Sequence, residues 1–215
     1  MKPARPLLGA ALLLLGACRA SQEGKERAIY APHEEGLTLA YENPSLEGSA
    51  RMESRRQVRV EAVQPAAGGK LLSGEIRHTR LTGEDRFHFE IKDGGLKVSD
   101  EQKHTATILP EGFPDRASAW VEGGLRTRVL GRATMPGFDR LLPRGAPNVG
   151  IWIESSPESG DGPRTRAFLL PDIGTAEVLE WKEGRWTPSR RLVSRGFTDS
   201  PKRPDPAPAP AGKKR

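Results

Sequence analysis

Apolar residues in this chain recur at every second position rather than every third or fourth. Leu37, Leu39 and Tyr41 alternate with polar or small neighbours, and so do Val58, Val60 and Ala62. The clearest run is RFHFEIK, where Phe87, Phe89 and Ile91 point one way and His88 and Glu90 the other. A period of 2 belongs to a strand with one buried face. Asp93-Gly94-Gly95 then supplies residues that tolerate positive φ, and Leu96 and Val98 resume the alternation, which predicts a tight hairpin. Glu122-Gly123-Gly124 and Glu183-Gly184, each between apolar runs, predict two more. Ala106 and Ile108 before Pro110 add a strand, as do Val149, Ile151 and Ile153. Pro188 lies inside a strand-like run and predicts an edge or a bulge, because proline brings no N–H to a ladder. The stretch 43–56, with SARMESRR, has the residues for one short helix.

Consecutive hairpins imply an all-β domain built on a single antiparallel sheet with one polar and one apolar face. About ten strands in one sheet curl strongly or close. The expected architecture is therefore a strongly curved half-barrel, or a barrel or sandwich-like closure, with few or no helices, over residues 29–199. Phe87, Phe89, Trp120, Phe138, Trp152, Phe168, Trp181 and Trp186 are spread through the runs, so the core draws on the whole domain.

The first residues break the pattern. Lys2 and Arg5 precede an apolar stretch over 7–17, which reads as a secretory signal peptide over 1–17. A permanent membrane span needs about 20 apolar residues, and this stretch falls short. It ends Leu15-Gly16-Ala17-Cys18, which resembles the lipobox of bacterial lipoproteins. The resemblance implies a diacylglycerol thioether on Cys18, cleavage before it and acylation of the new amine, with 18–28 as a lipidated tether. Each buried CH₂ contributes about 0.8 kcal/mol, and one chain anchors only marginally whereas two or more hold. The partner implied is thus a membrane, reached through the lipid. Arg19, not aspartate, follows the cysteine. By the sorting rule of Gram-negative lipoproteins, that implies the outer membrane, facing the periplasm.

The formal net charge is +6, but Lys2, Arg5 and the basic residues of the last segment account for it. The part expected to fold is neutral, which argues against a nucleic-acid partner. The segment 200–215 has prolines at 201, 204, 206, 208 and 210 and no large apolar side chain, and reads as a disordered, basic, Pro-rich tail. The only cysteine is Cys18, so the mature domain has no thiol nucleophile, thiolate metal site or disulfide.

No Gly-x-Ser-x-Gly, His-Glu-x-x-His or phosphate-loop spacing occurs, and no catalytic or cofactor-binding residue is assigned. Four histidines remain: His33, His78, His88 and His104. If Gly83 centres a turn, His78 lies opposite His88, and their rings form a candidate metal pair with Glu90 near. The competing reading is two histidines on a solvent face. Glu34, Glu35, Glu154 and Asp161 read as solvated surface. Arginines cluster at 51, 55, 56 and 59 and at 185, 190, 191 and 195. Arg190 and Arg191 point to opposite faces of a strand, so one reaches inward. Such arginines either bind lipid phosphate groups or pair with nearby glutamates and protect strand edges.

Three stretches, YAPHEEGLTLAYE (30–42), ATMPGFD (133–139) and LLPDIGTAEVLEW (169–181), are similar to short structural motifs of the TapB-like group, uncharacterised β-rich extracytoplasmic bacterial proteins. In the third, Asp172 stands where that group has glycine. The resemblance implies a β-rich envelope protein and no catalytic residues. The expected function is therefore non-enzymatic: a membrane-anchored envelope lipoprotein that holds a hydrophobic ligand on its concave face or acts as an assembly module. A structural partner protein using its sheet edges or Pro-rich tail is the alternative, and a hydrolase with a scattered acid or histidine site ranks behind both.

Overall fold

The computed structural model describes residues 28–65, 71–142, 146 and 148–198. The signal peptide, Cys18, the tether apart from Ala28, and the Pro-rich tail lie outside the described residues. Among the described residues, twelve strands form one antiparallel sheet: β1 (Leu37–Glu42), β2 (Arg56–Pro65), β3 (Leu71–Arg80), β4 (Gly83–Lys92), β5 (Gly95–Asp100), β6 (Thr105–Leu109), β7 (Ala119–Glu122), β8 (Leu125–Ala133), β9 (Gly150–Pro157), β10 (Thr165–Leu170), β11 (Gly174–Lys182) and β12 (Arg185–Phe197). Their spatial order is β6-β5-β4-β3-β2-β1-β12-β11-β10-β9-β8-β7. Every neighbour except the β1–β12 pair is sequential, so local hairpins build nearly the whole sheet. One short helix, α1 (Gly48–Glu53), falls within the stretch expected to hold it.

The three expected hairpin turns form at Asp93-Gly94, Gly123-Gly124 and Glu183-Gly184, each with positive φ at both central residues. That geometry matches the twist of the flanking strands. Asp172 also adopts positive φ, at 61°.

The inner face carries the main core. Leu37, Leu39 and Tyr41 of β1 are buried with Val60, Phe89, Ile91 and Leu192 from neighbouring strands. Bulges reset the alternation along it. Val60 pairs with Ile76 but Ala62 with Glu75, so Glu61 is the extra residue and Val63, not Ala62, packs on the core. Pro188 lies at a register shift between β11 and β12, beyond the end of the β1 ladder, so it marks a bulge in an internal strand.

Strands β9 and β10 are buried on both faces. Ile151, Ile153 and Leu169 face the seam side, while Trp152 and Phe168 pair across the strands on the opposite side, ring centroids 5.1 Å apart, where they join the main core cluster. A short 3₁₀ turn at Asp139–Leu141 packs against that side, with Leu141 buried in the same cluster and Phe138 packed 6.2 Å from the Phe168 ring.

Candidate functional site

The sheet curls until its two edges, β6 and β7, approach one another. No ladder joins them. Instead the Thr107 N–H on β6 donates to Glu122 Oε1 on β7, at 2.9 Å. Behind this seam, on the inner face of β6–β10, lies a cleft of about 490 Å³. Its walls are mainly apolar: Leu109, Trp120, Ile153, Ala167 and Leu169, with Tyr30 at one end. Register explains the wall, since Ile153 pairs with Ala167 and with Val129, and Trp120 pairs with Thr127, placing all on one face.

A third aromatic ring packs behind Tyr30 and Trp120. Phe113 is fully buried and stands edge-on to both Tyr30, at 5.5 Å, and Trp120, at 6.0 Å. Burial raises the Tyr30 pKa above its ordinary value, so this phenol stays neutral. The polar side chains are Thr107, Thr175, Glu122 at the seam, and the Thr127 and Ser155 hydroxyls, 2.8 Å apart. A concave, largely apolar volume of this size with a few convergent polar atoms fits ligand pockets, which run from about 300 to 1,000 Å³.

The outer face of the same strands holds a different arrangement. Glu154 is 5 % exposed and lies in register between Arg128 of β8 and Arg166 of β10. Its Oε1 accepts from Arg128 at 2.9 Å and Arg164 at 3.1 Å, and its Oε2 accepts from Arg166 Nε at 2.8 Å. Burial pushes its pKa up, and the hydrogen bonds from Arg166, Arg164 and Arg128 more than offset this, leaving the carboxyl below its ordinary range. Arg166 and Arg164 also lie over the Trp186 ring, at 4.2 and 5.5 Å. The sequence placed Glu154 on solvated surface; its arginine neighbours bury it instead.

The candidate pair of His78 and His88 does not form. The β3–β4 turn falls at Leu81-Thr82, with Arg80 opposite Gly83, so His78 pairs with Asp85 and His88 with Glu75. An offset of three residues sends the two rings to opposite faces. His88 is exposed, 3.8 Å from Glu75, and His78 lies beside Phe87. Among the described residues, no group of three or more metal-ligating side chains is assembled. Arg190 and Arg191 do part as expected: Arg191 pairs with the buried Glu177 on the outer face, and Arg190 turns inward.

What the site defines is a class: a single-sheet antiparallel half-barrel whose inner face keeps an apolar cleft at its seam. No family model matches the chain, and no curated protein does. Two solved structures are similar to it in fold. One is a "putative exported protein with YmcC-like fold" from Bacteroides fragilis, 9 % identical, with a TM-score of 0.46 over 79 % of this chain and 100 % of that one. The other is a "putative lipoprotein" from Parabacteroides distasonis, 7 % identical, with a TM-score of 0.44 over 80 % of this chain and 100 % of that one.

Proposed function

We propose that this chain is a non-enzymatic bacterial envelope lipoprotein, anchored through Cys18 at the outer membrane facing the periplasm, whose seam cleft holds a hydrophobic ligand. The observation that carries the reading is the inner face of β6–β10, where an apolar cleft of about 490 Å³ stays open beside a packed core. A Cys18→Ser form released from the membrane provides the test. It should bind a fluorescent apolar probe, N-phenyl-1-naphthylamine, saturably. Ala167→Trp, placed in the middle of the cleft wall, should weaken that binding at least tenfold. Equal binding by both proteins would remove the cleft from consideration. The same serine substitution should abolish fatty-acid labelling and membrane fractionation in cells; unchanged labelling would remove the anchor.

A second reading, a partner-binding role at the sheet edges, is favoured by Ile108, Val121 and Leu125, which are large, apolar and exposed around the seam. A photocrosslinker at Val121 should then capture one stoichiometric envelope protein; recovery of uncrosslinked monomer alone counts against it.

A further inference from the structure

The inner face carries a second feature, on the middle strands of the sheet rather than at its meeting ends. Tyr41 of β1 pairs with Leu192 of β12 on one side and with Arg56 of β2 on the other, and Arg56 pairs with Arg80 of β3. Arg190 sits two residues from Leu192 and shares its face. Tyr41 is buried in the core, so this is the inner face. One row further in, Val58 pairs with His78, and His78 with Asp85. Three guanidinium groups from three strands therefore gather beside an imidazole at one end of the half-barrel.

Like charges placed opposite one another across strands repel. The outer face shows how this chain handles such a stack. Arg59 pairs with Arg77, and Arg77 with Arg86, but Arg77 holds Glu61 at 2.7 Å and Glu84 at 3.4 Å. The inner row has no such supply. Asp85 is committed to Arg80 at 2.7 Å, and Glu180 to Lys182 at 2.6 Å. Among the described residues no carboxylate forms an ion pair with Arg56 or Arg190. The mutual repulsion is felt. Burial, with Arg56 and Arg80 nearby, lowers the Arg190 pKa against the opposing pull of Tyr41 and Glu180. Burial and then Arg80, Arg56 and Arg190 lower that of His78, against Asp85.

We infer that Arg56, Arg80 and Arg190 form a binding site for a phosphate-class anion. Three arginines against Asp85 leave two positive charges unmatched, and a phosphate monoester carries about −1.5 to −2 at pH 7. The planar donor forks of guanidinium suit a tetrahedral oxyanion, and the strands fix them in a row. The site stands apart from the seam cleft and does not depend on the cleft's occupancy.

The test uses the Cys18→Ser protein at constant ionic strength, titrated with inorganic phosphate and with short-chain phosphatidic acid. Saturable binding should raise Tm and move the His78 ring titration upward, because an anion then faces the imidazole. Arg190→Gln and Arg56→Gln should each lose both responses, while the outer-face control Arg86→Gln keeps them. Removing one of three like charges should leave the anion-free Tm at or above that of the parent, so loss of response cannot be put down to misfolding. Phosphatidic acid binding tenfold or more tighter than inorganic phosphate assigns the site to a lipid headgroup, and equal affinities assign it to free phosphate. A His78 titration that neither ligand moves, or an Arg190→Gln protein that responds like the parent, overturns the site.

Discussion

Glu154→Gln tests whether the outer face of β8–β12 is held by charge or by packing. The wild-type carboxylate accepts three charge-assisted hydrogen bonds, from Arg128, Arg164 and Arg166. Glutamine keeps the shape but offers one acceptor oxygen, and its amide nitrogen meets either Arg166 or the other two arginines as donor against donor. A hydrogen bond to a charged group contributes roughly 1.5–3 kcal/mol when sheltered. Glu154 is sheltered but its partners are 60 %, 41 % and 32 % exposed, so each bond is discounted to about 1 kcal/mol. One or two of the three bonds are lost, so the expected loss is about 1–2 kcal/mol. Urea unfolding at pH 7, followed by the fluorescence of Trp181 and Trp186 beside these arginines, measures it. The pH dependence has a definite sign. The folded carboxyl lies below its ordinary value, so its stabilisation is fully present above the unfolded pKa, about 4.3, and is lost as pH falls through the folded value. The gap between wild type and variant should therefore be widest near neutrality and shrink in acid. A loss below about 1 kcal/mol, or a gap that stays constant down to pH 3, refutes the electrostatic account.

Gly74→Ala should destabilise by at least about 2 kcal/mol, since an added Cβ would lie 2.1 Å from the Ala62 carbonyl oxygen and 2.6 Å from the Phe89 ring, and backbone cannot yield as a side-chain tip does; thermal unfolding reads it, and a Tm within 2 °C of wild type would show that the strand relaxes around it. Glu122→Gln should weaken the seam bond to Thr107 by about 1 kcal/mol. Amide exchange at Thr107 should accelerate while the β2–β3 amides keep their rates, and unchanged Thr107 exchange would show that the carboxylate does not hold the seam.

Much of this fold is legible in the order of residues because hairpins are local. RFHFEIK-Asp-Gly-Gly contains its own strand, turn and return, and the three glycine-bearing turns fall where positive φ is required. Bulges and turn register are not legible in the same way. Val58, Val60 and Ala62 keep a period of 2 on paper, yet Glu61 inserts and hands the inward position to Val63. Gly83 looks like the centre of a turn, but the ladder closes on Arg80 opposite Gly83, and that displacement of three parted His78 from His88. The cleft is harder still. Its walls come from residues over 100 positions apart, such as Tyr30 and Leu169, which meet only because the sheet curls. The burial of Glu154 needed arginines from two neighbouring strands, whose pairing no alternation reveals.

The curl also explains why the seam, rather than any other strand pair, is the natural way into the interior. Opening any other neighbouring pair breaks a ladder of main-chain hydrogen bonds, as many as ten paired positions between β3 and β4. Opening β6 from β7 breaks a side-chain contact from Glu122 to Thr107. The free energy of local opening scales with what must be broken, so the seam belongs at the low end of the stability spectrum. The loop from Pro110 to Ser118 that joins β6 to β7 carries Phe113, which lies against Tyr30 and Trp120 beneath the cleft. A ligand entering between β6 and β7 would meet Ile108 and Leu125 outside and Leu109, Trp120 and Ile153 inside, an apolar path from surface to interior along one pair of edges.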